Sequence, residues 1–385
     1  MAGARLTRWA DVGARVAAAR ARAGFTQREL GDRLGLGRSA ITRIELGQRQ
    51  LDALELAGLA DTLGRSVQWF LTEPPVAIAS HRQELSADHD VRRLEEELER
   101  TSRDVELLVE VGALRAGTGG PGSPRPAPPH SGVTTVDEAQ RRATEARESL
   151  ELRDGPILDL HSAVEHFGLL AFSLDLGPSV IDGGYVRLDS FGVALVNGTA
   201  DPGRRRFNLA HELGHHLLAD EYTADFGLGT TRDAREALIN AFAIHFLMPS
   251  ESVRRRWTEL SAEWDDPRTR LVVLAAEYRV SWSAAISHAA RLKLISRDDR
   301  SILEVRRPTP ADYFETGARF DEELRPIALA PAYSQAAVRA YRRGIISADR
   351  AIELLRGTAT VDDLPRPSEM PIEALVNEFG PLGSS

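Results

Sequence analysis

The sequence predicts a multidomain chain: an all-α N-terminal domain, a helical linker, then an α+β domain with a helical C-terminal tail. Three observations lead there. At 385 residues the chain exceeds one ordinary domain. Its first 71 residues divide into short helical segments punctuated by glycine, whereas the middle of the chain places strand-like apolar runs ahead of long helices. Between the two lies "AGTGGPGSPRPAPPHSG", a stretch too poor in apolar residues to build a core.

Composition narrows the chemistry. With 0 cysteines, neither a disulfide framework nor a thiolate zinc site is available, so any metal is held by His, Asp or Glu. The N-terminus lacks an apolar core followed by a small-residue cleavage site, and no run approaches a membrane span, so the expectation is a cytoplasmic protein with no membrane partner. Net charge is −9, which argues against nucleic acid until its distribution is considered. Residues 1–71 carry 11 Arg against 7 Asp plus Glu, a balance of +4, so the rest of the chain carries −13. DNA, if bound, is bound at the N-terminus.

The first domain is expected over 1–75. "WADVGARVAAARARAG" ends in Gly24, "TQRELGDRLG" opens with a capping Thr26 and closes at Gly35, "GRSAITRIELGQ" follows at once, and "LDALELAGLADTLG" ends at Gly64. The second and third segments are separated only by a tight turn, the pattern of a helix-turn-helix. "FTQRELGDRLGLGRSAITRIELGQRQ" resembles the XRE family of lambda-repressor and Cro-like domains through its Thr-Gln-x-x-Leu start, the Gly35 turn, Ile41-x-x-Ile44-Glu45-x-Gly47 and Arg49. The resemblance makes Gly37 to Leu46 the recognition helix. Arg38, Ser39, Thr42 and Arg43 then face base edges, Gln27 and Arg49 face phosphates, and the partner is double-stranded DNA. Gln50 departs from the proline common there. The competing reading is a helical bundle used for protein contacts.

Residues 80–115 form the expected charged linker. Val91, Leu94, Leu98, Val105 and Leu108 follow a 3-4 spacing, with Thr101 in the missing place. Two readings stay open, a coiled coil that makes a homodimer and a solvated single-helix spacer. A flexible Pro/Gly linker follows over 116–135.

An α+β domain is expected over 136–300: a helix to Leu152, helix into strand across "DLHSAVEHFGLLAFSLDL", strands at "GGYVRLD" and "FGVALVNG", then two long helices, "FNLAHELGHHLLADE" and "AREALINAFAIHFLMPSE". The strands are read as an antiparallel sheet, with "FGVALVNG" as an edge to which an extended substrate could pair. Residues 301–385 read as a small helical region with Ser347 as a cap and Gly344 and Gly357 as stops.

The chemistry sits in the first of the two long helices. His211 and His215, four apart, differ by about 40° and can meet one ion, and Glu212 lies about 100° around from His211. A hydrolytic zinc site takes three protein ligands and leaves one position for water, with a carboxylate nearby as general base, and Glu212 suits that role. The bland alternative is an apolar helix that happens to carry three polar residues. Third-ligand candidates are Asp220, Glu221, Asp225, Asp233, Glu236 and His245. Glu236 and His245 point about 180° apart on one helix, so they cannot both serve. Glu236 shares a polar stripe with Asn240, whereas His245 sits among apolar neighbours, as a core histidine does. Tyr185, Tyr222 and His216 are candidates for an oxyanion donor.

"RRFNLAHELGHHLL" followed by "EALINAFAIHFLMP" closely resembles the ImmA/IrrE family of zinc metallo-endopeptidases. Carried over, the resemblance implies a zincin-like domain with Zn2+ on His211, His215 and Glu236, and Glu212 as general base. Ile239 departs from the small residue common before Asn240. The resemblance further implies a protein substrate, an XRE-type repressor or antitoxin, cleaved to relieve repression. A different class of reading is a DNA-binding regulator whose peptidase-like domain senses a signal without cleaving.

Overall fold

A computed structural model describes residues 6–63, 67–71, 77–80, 88–117, 133–152, 154–177, 182–218 and 229–367. Of the Pro/Gly linker expected over 116–135, residues 118–132 lie outside them, as do Asp220, Glu221, Tyr222 and Asp225. The chain divides into two compact units, Met1–Val76 and Ala77–Ser385.

The first unit comprises α1 (Trp9–Arg22), α2 (Gln27–Leu34), α3 (Arg38–Glu45), α4 (Ala53–Leu63) and α5 (Val67–Leu71). Thr26 starts α2 through a capping box: its hydroxyl accepts the Glu29 N–H, and the Glu29 carboxylate accepts the Thr26 N–H at 2.7 Å. Gly35 ends the helix at φ +67°, a left-handed turn that only glycine adopts at no cost, and the chain re-enters helix three residues later as α3. Val16, Leu30, Ile41, Ile44, Leu59 and Phe70 close the core between these helices.

The second unit is built on a four-stranded mixed sheet. Its elements in chain order are β1 (Ala77–Ser80), α6 (Asp88–Glu110), α7 (Val136–Ser149), α8 (Leu160–Glu165), β2 (Leu169–Leu174), β3 (Gly183–Arg187), β4 (Gly192–Asn197), α9 (Pro202–Leu218) and α10 (Gly229–Leu247). They continue as α11 (Ser250–Leu260), α12 (Pro267–Glu277), α13 (Trp282–Arg291), α14 (Arg297–Val305), α15 (Pro310–Thr316), α16 (Pro331–Arg342) and α17 (Ala348–Leu354). The spatial order of the strands is β1-β3-β4-β2.

Two expectations about the sheet are corrected. β3 pairs antiparallel with β1 and β4, but β2 pairs parallel with β4, because β3 docks on the far side of β4 and leaves β2 running the same way as β4. β4, the "FGVALVNG" strand, is therefore central and has no free edge for a substrate. The outer side of β2 is bridged in turn, where Ser173 and Ala328 exchange backbone hydrogen bonds of 2.8 and 2.9 Å.

Helices cover both faces of the sheet. Leu169, Ala171, Tyr185, Ala194 and Val196 face α7, α9 and α10. Leu170, Phe172, Val186, Val193 and Leu195 face α6 and α16. Burial on both sides explains why "GVALVN" reads as a continuous apolar run rather than an alternation.

α6 is thus a layer of the second unit. Its 3-4 stripe, Leu94, Leu98, Val105 and Leu108, is 0–1% exposed, and the sheet and α16 cover it within the same chain, rather than a coiled-coil partner or solvent. Thr101, the polar residue in that stripe, accepts a 2.8 Å hydrogen bond from Arg356 of the C-terminal region. That region is likewise part of the unit: Glu165 accepts the Ala332 N–H at the start of α16, and the Tyr333 hydroxyl donates to the Leu354 carbonyl. Among the described residues no helix is long and apolar enough to cross a membrane.

Candidate functional site

α9 carries the site because it is nearly enclosed. Its N-terminal turns are tied down by buried arginines, with Arg205 donating to the Gly198 carbonyl and Arg206 pairing with Glu323 and donating to the Ile157 carbonyl. α10 crosses α9 at Gly214, where an added Cβ would come 2.9 Å from the Ile239 side chain. The large Ile239 thus packs into the space that the missing side chain of Gly214 leaves, which fixes the separation of the two helices.

That crossing brings His211, His215 and Glu236 together, with ligand atoms all within 4.8 Å of one another. The His211 and His215 Nε2 atoms are 3.2 Å apart, and the Glu236 oxygens lie 3.3 Å from His211 and 3.8 Å from His215. Ligands at about 2.0–2.1 Å from a tetrahedral zinc are roughly 3.3 Å from each other, so these residues fit that ion. Of the other described candidates, Asp233 is exposed at the start of α10 and stands outside this group. His245 points elsewhere, with Nδ1 against the Ser250 hydroxyl at 3.2 Å, and burial pushes its pKa down to about 4.

Asn240, one turn after Glu236, holds His211 Nδ1 at 3.1 Å through its side-chain oxygen. An amide oxygen only accepts, so Nδ1 carries the proton and Nε2 presents its lone pair to the cluster. Burial pushes the His211 imidazolium down, yet Glu236, Glu212 and Asn240 outweigh it and raise its pKa above the ordinary histidine value. The local field therefore favours a cation at this point.

Glu212 is 1% exposed and lies between α9 and the start of β3, where a Cβ added to Gly183 would come 3.4 Å from its Oε1. Beside it Asp182 forms a two-pronged pair with Arg204 at 2.6 and 2.9 Å, and its carbonyl accepts from the Asn208 amide at 3.3 Å. Sequence reasoning missed Asp182, Arg204 and Asn208, because nothing in a linear pattern joins a loop before β3 to the first turns of α9. For Asn240 the signal was present in the polar stripe, but the stripe did not name His211 as its partner.

Two oxyanion candidates are engaged elsewhere. The hydroxyl of the buried Tyr185 lies 2.9 Å from Nδ1 of the buried His216, and His216 Nε2 donates to the Phe167 carbonyl at 2.8 Å.

In the first unit α3 presents Arg38, Ser39 and Arg43 to solvent, with Thr42 half-buried. The Thr42 hydroxyl donates to Gln27, whose amide donates to Glu45 at 2.7 Å, so Gln27 links α2 to α3. Arg49 is held by both nitrogens to Glu55 at 3.2 and 2.6 Å.

Fold and site together define a class, a helix-turn-helix unit on one chain with a mixed α+β unit whose HExxH helix contributes to a His-His-Glu cluster. A family model described as "Helix-turn-helix" matches residues 16–70, and one described as "IrrE N-terminal-like domain", of peptidase family M78, matches residues 164–288. The chain thus joins an XRE-type helix-turn-helix domain to an ImmA/IrrE-like peptidase-family domain. No curated protein matches it. Among solved structures, the crystal structure of Bacillus thuringiensis PlcR in complex with the peptide PapR7 and DNA is similar at 11% identity and a TM-score of 0.18, covering 97% of this chain and 100% of that one. A likeness that low carries no argument.

Proposed function

We propose that this protein is a DNA-binding, zinc-dependent endopeptidase that cleaves a protein substrate, an XRE-type repressor or antitoxin, and so relieves repression. One observation carries the reading: two histidines and a glutamate whose ligand atoms lie within 4.8 Å of one another, with Glu212 next in sequence to the first of them. His211, His215 and Glu236 hold the zinc, and Arg38, Ser39 and Arg43 meet the DNA. We read it as a cytoplasmic protein, a reading that the DNA-binding unit supports.

Zinc in such a site supplies Lewis acidity and lowers the pKa of a water in its open position. Asn240 keeps His211 in the tautomer that the cluster needs. Glu212 accepts the proton of the water that attacks the peptide carbonyl, and returns it to the amine nitrogen as the C–N bond breaks. Burial keeps bulk water from competing for that proton.

Glu212→Gln tests the reading, because Glu212 is not a ligand. The variant should retain zinc and DNA binding and lose cleavage of a co-expressed repressor by roughly a hundredfold to ten-thousandfold. If a reporter responds to the inducing stress equally in wild type and Glu212→Gln, the protease reading is wrong. The α+β unit is then a sensor on a DNA-bound regulator.

A further inference from the structure

A groove of about 620 Å³ opens between the start of α9, the middle of α10 and the length of α13. It adjoins the metal cluster through two residues. Asn240 lines the groove and holds His211, and Phe207, one turn before His211 on α9, lies tilted against that imidazole with ring centroids 6.5 Å apart. The groove thus lies one residue away from the cluster, within reach of the side chains that flank a scissile bond.

The walls are cationic in an otherwise acidic chain. Arg204, Arg291 and Arg307 line the groove against one lining carboxylate, Asp201. Arg204 is neutralised by Asp182. Arg291 and Arg307 have no carboxylate partner among the described residues, and their guanidinium groups make no hydrogen bonds there. The contrast with their neighbours is sharp, since Arg205 and Arg206 pair with Glu322 and Glu323, and Arg268 pairs with Asp312. Partial desolvation lowers the Arg291 pKa with no opposing carboxylate to raise it. Ser283 and Ser287, on the exposed side of α13, add hydroxyl donors to the same wall.

We propose that this groove is the subsite for an acidic side chain, Glu or Asp, of the peptide substrate, and that Arg291 and Arg307 select it. The proposal rests on the peptidase reading and adds the substrate class. Two guanidiniums facing a groove, Arg291 partly desolvated and Arg307 exposed, form charge-assisted, forked hydrogen bonds with a carboxylate, which an amide of the same shape cannot match.

The probe is a set of fluorescein-labelled dodecapeptide pools, each with Glu or Gln fixed at one position in turn and the rest random. Binding is read by anisotropy on the full-length, zinc-loaded Glu212→Gln chain, and cleavage of the same pools is read with wild type. At one position the Glu pool should bind about tenfold more tightly than the Gln pool. Arg291→Gln with Arg307→Gln should erase that preference, whereas Arg291→Lys, which keeps the charge, should retain part of it. Equal binding of Glu and Gln pools at every position overturns the subsite, as does a preference that survives the double variant. Competition by free glutarate as strong as by the Glu pool assigns the groove to a small dianion and overturns it as well. If wild type cleaves none of the pools while the arginine-dependent preference holds, the peptidase reading fails and the subsite stands. Cleavage with no acidic preference is the reverse.

Discussion

The side-chain oxygen of Asn240 on α10 holds Nδ1 of His211 on α9 at 3.1 Å, joining the two helices at the atom that sets the ligand's tautomer. Removing such an outer partner usually costs about 10- to 100-fold in metal affinity. Asn240→Ala should therefore weaken zinc by that factor in competition with a fluorescent chelator, while Asn240→Asp, which keeps an acceptor, should weaken it less. Equal affinity in wild type and Asn240→Ala would show that the contact does not orient the ligand.

On the first unit, the two roles of arginine separate. Arg38 and Arg43 are exposed on α3 without side-chain partners among the described residues, so Arg38→Ala and Arg43→Ala should each lower affinity for the preferred site by about 1–3 kcal/mol and leave stability unchanged. Arg49 is tied to Glu55. Arg49→Ala should therefore act mainly on the melting of the unit, by up to about 1 kcal/mol, since the pair is only partly buried. Gel shifts across a salt series, with thermal melts of the same variants, check both; a DNA defect in Arg49→Ala larger than that of Arg43→Ala reverses the assignment.

Leu98 is fully buried beneath the sheet on the α6 stripe. Leu98→Ala should cost the second unit about 2–5 kcal/mol by chemical denaturation, with no change in solution mass by sedimentation. A shift from dimer to monomer in that variant would restore the coiled-coil reading of α6.

Glu165 is buried at the start of α16, and desolvation raises its pKa from the ordinary 4.5 to about 7 although it accepts the Ala332 N–H. A carboxylate raised on folding contributes stability that is fully present below its unfolded value and lost as pH rises through about 7. Wild type should therefore lose on the order of 3 kcal/mol relative to Glu165→Gln between pH 4 and pH 8. His245 and His288, lowered to about 4 and about 3 by burial, act oppositely: their contribution is present above 6.5 and is lost in acid. They are common to both proteins, so the difference between the two denaturation curves isolates Glu165. A difference that does not vary with pH would place the titration elsewhere.

Local pattern was enough to reveal what local geometry controls. The Thr26 cap, the Gly35 stop and the tight entry into α3 are settled within a few residues, so the helix-turn-helix was legible. So was the shared face of His211 and His215, because helical period alone sets the angle between them. Glu236 was one of six third-ligand candidates until the family resemblance singled it out. In the structure the packing of α10 on α9 at Gly214 and Ile239 brings it to the histidines.

The tertiary structure decided whatever depends on partners distant in sequence. A 3-4 stripe on α6 requires an apolar cover but does not say which, and the sheet supplies it together with α16, which lies more than 200 residues further along the chain. The run "GVALVN" is equally apolar at an edge or at the centre, and only pairing with β2 and β3 on its two sides made it central. Charge in sequence likewise did not separate Arg49, neutralised by Glu55, from Arg291 and Arg307, left facing a groove, because whether an arginine is free depends on which carboxylates the fold brings within a few ångströms of it.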